Sequence, residues 1–85
     1  MPYAVEFAPG ADRDFRRLAR EIQLRLRPRI DALSDNPHPH GASKLKGADE
    51  LWRIRVGDYR IVYEIHHRVL LVLIVRVAHR REAYR

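Results

Sequence analysis

The sequence predicts an α+β fold in which an N-terminal strand leads into a two-helix hairpin, followed by a three-stranded antiparallel meander. Three observations carry this. The residues after Met1 alternate between apolar and polar, two apolar stripes of helical period lie between Ala11 and Leu33, and three runs rich in Val, Ile and Tyr fill the region from Leu51 to Val77. At 85 residues the chain has room for a single domain, 1–85, and no second unit beside it. A chain of this size buries roughly 60–65% of its unfolded surface. Its core is therefore modest, and a bound partner would add to its stability.

Tyr3-Ala4-Val5-Glu6-Phe7 has the period of a short edge strand, and Pro9-Gly10 interrupts it. From Ala11 the period becomes helical, with Ala11, Phe15, Leu18 and Ile22 on one face and Arg13, Arg16, Arg17 and Arg20 mostly elsewhere. A second stripe of Ile22, Leu26, Ile30 and Leu33 ends at Asp35-Asn36-Pro37. Pro28 falls inside it. A proline there deletes one backbone hydrogen bond and crowds the preceding turn, which predicts a kink or a helix that starts near it.

Asn36 to Gly41 is a proline-rich connection that continues into the polar segment Ala42 to Gly47, and this stretch reads as one long loop. The strand runs Leu51–Val56, Tyr59–Ile65 and Val69–Val77 follow, joined by Gly57-Asp58 and by His66-His67-Arg68. Leu70 to Val75 is apolar on both faces, which places the last strand centrally with the helices over one side. Its length is far too short to span a bilayer.

The formal charge is +6, unevenly distributed. Residues 1–43 carry seven Arg and Lys against six Asp and Glu, whereas residues 44–85 carry ten against five. A basic half of this kind suits a polyanion and fast, salt-sensitive association. Cysteine is absent, which removes thiolate chemistry and cysteine metal sites and fits a reducing cytoplasm. Met1 to Glu6 lacks the basic start and long apolar stretch of a signal peptide. His38, His40, His66 and His67 fall in loops or turns without an organised carboxylate set, which argues against a metal site. Neither Ser34 nor Ser43 lies in a nucleophile elbow, and Lys44 to Gly47 lacks the glycines of a phosphate loop.

The informative pattern is the placement of arginines on the strands. Arg53 and Arg55 are two apart and project from one face of the sheet, with Trp52, Ile54 and Val56 on the other. Arg60 lies just past the Gly57-Asp58 turn, on a register that lets it share a surface with Arg55. The tail adds His79, Arg80, Arg81 and the phenol of Tyr84. Several arginines with an aromatic side chain can grip a phosphate backbone and stack a base. The competing reading is an ordinary solvated strand face.

Ser43-Lys44-Leu45-Lys46-Gly47, Leu51 to Val56, the block Gly57-Asp58-Tyr59-Arg60-Ile61-Val62-Tyr63, and Val77-Ala78-His79-Arg80 with Tyr84 together resemble the RelE/ParE toxin superfamily over nearly the whole chain. The resemblance implies a RelE/ParE-like fold and, for its RelE branch, ribosome-dependent cleavage of mRNA in the A site. The implied reaction is metal-free attack of a ribose 2′-hydroxyl on the adjacent phosphate, with no cofactor. It also implies catalytic roles for Arg53, Arg55, Arg60, Arg80 and Tyr84: Arg60 against the phosphorane charge, Arg80 beside the leaving oxygen, and Tyr84 stacked on a base. Lys44, Lys46, His79 and Arg81 are expected to bind RNA. Family members often carry lysine where Arg53 and Arg55 stand, and arginine, with a pKa above ~12, is a poor general base. The ribosome, His79 or solvent is then the proton acceptor, and His79 is the side chain whose ordinary pKa of ~6.5 suits the task.

The expected partners are a RelB-like acidic antitoxin, the ribosome with its message, and operator DNA reached only through the antitoxin complex; no membrane is expected. The nearest rival is the ParE branch, which poisons DNA gyrase without cutting RNA. A toxin that has lost activity and survives as an antitoxin-binding module is a third possibility.

Overall fold

The structure is a computed structural model, and residues 2–45 and 50–79 are described. The chain runs β1 (Ala4–Phe7), α1 (Pro9–Arg16), α2 (Arg20–Asp31), a short 3₁₀ turn (Ala32–Ser34), β2 (Ser43–Lys44), β3 (Leu51–Val56), β4 (Tyr59–His66) and β5 (Leu71–His79). The strands form one mixed sheet in the order β1-β5-β4-β3-β2. β1 pairs parallel to β5, and the other neighbours pair antiparallel. The expected α+β arrangement is therefore present, with β5 inside the sheet and β1 at its edge.

Three local expectations are corrected. Helix α1 begins at Pro9 rather than Ala11. At the first helical position proline loses no intrahelical hydrogen bond and its fixed φ favours the helix, so Pro9 opens the element instead of breaking the chain before it. Helix α2 runs through Pro28 to Asp31. The carbonyl that loses its donor there belongs to Leu24, whose side chain is exposed, so water can replace the missing bond. The long loop holds a two-residue strand, β2, whose Ser43 and Lys44 face Arg53 and Trp52. Two residues are too few to leave a period in the sequence.

The helices cover one sheet face. Ala11 and Phe15 of α1, Leu26 and Ile30 of α2 and Leu33 meet Ile54, Val56, Ile61, Tyr63, Ile65, Val72, Ile74 and Val77 from the strands. Each buried Val, Leu, Ile or Phe among them stabilises the fold by about 1.5–3 kcal/mol relative to exposure. Tyr63 is fully buried, and its hydroxyl donates to the Pro37 carbonyl at 2.8 Å. This bond ties the 36–45 segment to the centre of the sheet. Burial also pushes the phenol from its ordinary value near 10 to about 12.

A register shift between Val62 and Tyr63 sets the phase of β5. Tyr63 faces Ile74 while Val62 faces Arg76, which leaves Val75 as the extra residue of a bulge. Strict alternation from the buried Ile74 would turn Arg76 into the core. The bulge instead turns Arg76 out and Val77 in, and Val77 is buried while Arg76 is exposed.

Candidate nucleic-acid interface

The face of the sheet opposite the helices carries the arginines in two neighbouring rows. In one row Arg55 of β3 lies directly across from Arg60 of β4, which in turn faces Ala78 of β5. In the next row Ser43, Arg53, Val62 and Arg76 follow one another across β2, β3, β4 and β5. Cross-strand neighbours stand about 4.5–5.5 Å apart at Cβ, and same-face residues along a strand about 7 Å apart. Four guanidinium-bearing residues thus rise from a patch about one nucleotide across, with Val62 between them.

The hairpin turn between β3 and β4 fixes this alignment. Gly57 has φ +59°, the left-handed conformation required at the first central position of a two-residue primed turn. With Gly57-Asp58 as the whole connection, Val56 faces Tyr59 and Arg55 necessarily faces Arg60. Like charges placed directly opposite one another destabilise a sheet.

Arg60 is the inner member of the pair, 7% exposed, and Arg55 the outer one, open to solvent. Together with Gly57, Asp58 and Tyr59 they line a small cleft of about 60 Å³. A buried guanidinium beside an exposed one suits an anion that is partly desolvated on binding. Asp58 is the carboxylate residue of this cleft, and farther along β4 Glu64 Oε1 lies 2.8 Å from His66 Nε2.

Of the nine residues expected to form the site, the structure brings Arg53, Arg55 and Arg60 onto one surface. Lys46, Arg80, Arg81 and Tyr84 lie outside the described residues. His79 does not join the arginines. It pairs with Tyr59, its ring meets the Tyr59 ring edge-on at 5.3 Å, and it lines a groove with Asp14, Arg17 and Leu18 on the helix-covered side. The sheet stands between His79 and the Arg55–Arg60 pair, because Ala78 and not His79 takes the position facing Arg60. Lys44 pairs with Trp52 and shares its face, so Ser43 is the β2 side chain that accompanies Arg53.

Arg76 was not singled out from the sequence, since an uninterrupted strand puts it on the wrong face. The signal for it was the pair of adjacent residues Val75-Arg76, where a long apolar run meets a charge without completing an alternation. Arg29 and His40 were also missed. They line a second, larger groove with Arg53 and Arg55 at the open edge of β3.

Comparison with known proteins agrees with this architecture. Residues 5–84 match the family model described as the ParE toxin of type II toxin–antitoxin systems. The chain is 36% identical over 88 residues to a toxin RelE of Mycobacterium tuberculosis, covering 99% of this chain and 88% of that protein. It is 24% identical over 85 residues to the mRNA interferase toxin RelE of Escherichia coli, covering 98% of this chain and 88% of that protein. Among solved structures, a chain of the RelBE2 toxin–antitoxin complex from Mycobacterium tuberculosis superposes with a TM-score of 0.83 at 30% identity, covering 93% of this chain and 92% of that one.

Proposed function

Because the chain belongs to the ParE toxin family of type II toxin–antitoxin systems and is a RelE-like member of it, we propose that it is an mRNA endoribonuclease that acts on the ribosome in the A site. The observation that carries this reading is the Arg55–Arg60 pair with Arg53 and Arg76 on the neighbouring row. That surface matches a phosphodiester in charge, and a relative that covers nearly the whole chain is an mRNA interferase.

In the proposed step the ribose 2′-oxygen forms a bond to the adjacent phosphorus and the bond to the following 5′-oxygen breaks. The products are a 2′,3′-cyclic phosphate and a free 5′-hydroxyl. Negative charge gathers on the non-bridging oxygens as the phosphorane forms. Arg60, largely shielded from water, stabilises that charge, and Arg55 does so from the solvent side. The charge comes from guanidinium groups, so the step uses no metal or cofactor. Arginine stays protonated at neutral pH, so neither Arg53 nor Arg55 serves as the base. With His79 on the other side of the sheet, the 2′-hydroxyl proton passes to the ribosome or to solvent. In this reading Arg80 lies beside the leaving oxygen, Tyr84 stacks on a base, and Lys44, Lys46 and Arg81 hold RNA more peripherally.

The partner proposed is an acidic, RelB-like antitoxin, since relatives of this chain are found in RelB–RelE complexes. A +6 domain favours such a partner electrostatically. Contacts with operator DNA are assigned to the antitoxin in that complex. The proposed location is the cytoplasm, where the message is translated, and none of the described helices is long and apolar enough to cross a membrane.

Purified protein added to ribosomes programmed with a defined message tests the reading. The expected result is a cut within the A-site codon whose 3′ end carries a cyclic phosphate. An intact message, with inhibition seen instead in a gyrase supercoiling assay, would move the protein to the ParE-type activity.

A further inference from the structure

We propose that Arg29 and His40, together with Arg53, form a second phosphate subsite that holds the message phosphate next to the one being cut. The inference rests on the RNA-cleaving reading and extends it to residues on α2 and the 36–45 segment.

Among the described residues, strand β2 pairs with Trp52 and Arg53, and Leu45 N–H donates to the Leu51 carbonyl at 2.8 Å, all at one end of β3. Beside the remaining edge lies a groove of about 360 Å³ lined by Arg29, His40, Gly41, Ser43, Arg53, Ile54 and Arg55. Three guanidinium residues, an imidazole and a hydroxyl meet there, and none of the described lining residues is acidic.

Two helix arginines outside this groove are held by carboxylates. Arg16 pairs with Asp12 and Arg27 with Asp31, each at 3.1 Å. The side chains of Arg29, Arg53 and Arg55 have no ion pair or hydrogen bond among the described residues. Converging cations without counter-charge repel one another, and a bound anion relieves that repulsion.

Local structure aims these groups at the groove. Ala42 N–H donates to the Pro39 carbonyl at 3.0 Å, closing a turn with His40 and Gly41 at its centre. Gly41 has φ +90°, as the third position of a type II turn demands. The Tyr63 bond to Pro37 anchors the same segment two residues earlier. Arg25 lies one turn before Arg29 on α2, and its Nη1 would stand 3.8 Å from a Cβ placed on Gly57. That side of α2 therefore reaches toward the β3–β4 hairpin.

Arg55 lines both this groove and the smaller cleft that it shares with Arg60. A phosphodiester at Arg55 and Arg60 consequently leaves its neighbour on the same strand facing Arg53, Arg29 and His40. Arg29 and His40 act here as positioning residues for the message.

The test is binding of a fluorescently labelled RNA hexanucleotide, made uncleavable by 2′-deoxy substitution, measured by anisotropy across a salt series. Each lost phosphate contact lowers the slope of log affinity against log salt by about 0.7 on a single strand. Arg29→Ala is expected to weaken binding several-fold and to lower the slope by about that amount. Arg29→Lys restores the slope, and Arg68→Ala, at the far end of the sheet, leaves it unchanged.

An unaltered slope in Arg29→Ala, alongside a lowered slope in Arg53→Ala, overturns the inference. The same holds if hexanucleotide binding is unaffected and only KM on ribosomes rises, because the contact then belongs to ribosomal RNA. Cleavage of programmed ribosomes by the unsubstituted protein is run in parallel. Its absence overturns the RNA-cleaving reading itself, whereas its presence with normal binding by Arg29→Ala overturns the second subsite alone.

Discussion

Replacing Tyr63 with Phe removes one hydroxyl from the centre of the protein without changing the packing of the ring. Tyr63 is fully buried, the Pro37 residue that accepts its hydrogen bond is buried as well, and the bond is 2.8 Å long. The Pro37 carbonyl would lose this donor, a cost of about 1–2 kcal/mol. For a domain of this size that lowers Tm by roughly 4–8 °C per kcal/mol. The effect should depend on pH. The folded protein holds the phenol at about 12 against 10 in the unfolded chain, because burial disfavours the phenolate. The folded state thus favours the protonated form, and the stability tied to it is complete below pH 10 and is lost as pH rises from 10 to 12. At pH 11 the unsubstituted protein should have lost about 1.4 kcal/mol that the Phe variant cannot lose. Urea unfolding of both proteins at pH 7, 9 and 11 measures the difference. The two should differ at pH 7 and nearly converge at pH 11. A difference that stays constant with pH would refute the burial of the phenol, and no difference at pH 7 would refute its bond to Pro37.

Other substitutions test the remaining parts of the framework. Arg55→Gln removes a like charge directly opposite Arg60 and should raise stability at low salt by about 0.2–1 kcal/mol while weakening RNA binding, as read by thermal unfolding and anisotropy. Gly57→Ala should cost about 1–2 kcal/mol, because φ +59° rather than lack of space is the obstacle, and denaturant unfolding checks it. Leu26→Ala, on the buried face of α2, should cost about 2–5 kcal/mol in the same assay.

Much of the fold was legible because long segments repeat a period. The helical stripes through Phe15 and Leu26 and the alternation through Arg53 and Arg55 each place a face toward the core, and the two-residue Gly57-Asp58 turn sets the register that follows. What was not legible depends on single residues whose meaning comes from a neighbour in space. Pro28 is tolerated because the bond it deletes is at Leu24, on the exposed side of α2, and β2 exists only as the partner of β3. The bulge at Val75 decides the side of the sheet for Arg76 and, with it, for Val77 to His79. That is why Arg76 joins the arginine face and His79 does not. Arg29 and His40 approach Arg53 only through the packing of α2 and the 36–45 segment at the edge of the sheet, which no spacing along the chain encodes.

The central claim is that Arg60 stabilises a reacting phosphate of the message. The most direct measurement is single-turnover cleavage of programmed ribosomes by the unsubstituted protein and by Arg60→Ala, with thermal unfolding confirming that the variant is folded. Loss of one donor of this kind should slow cleavage about 10²–10³-fold, with the cut still in the A-site codon. A folded Arg60→Ala variant that cleaves at the unsubstituted rate would contradict the account.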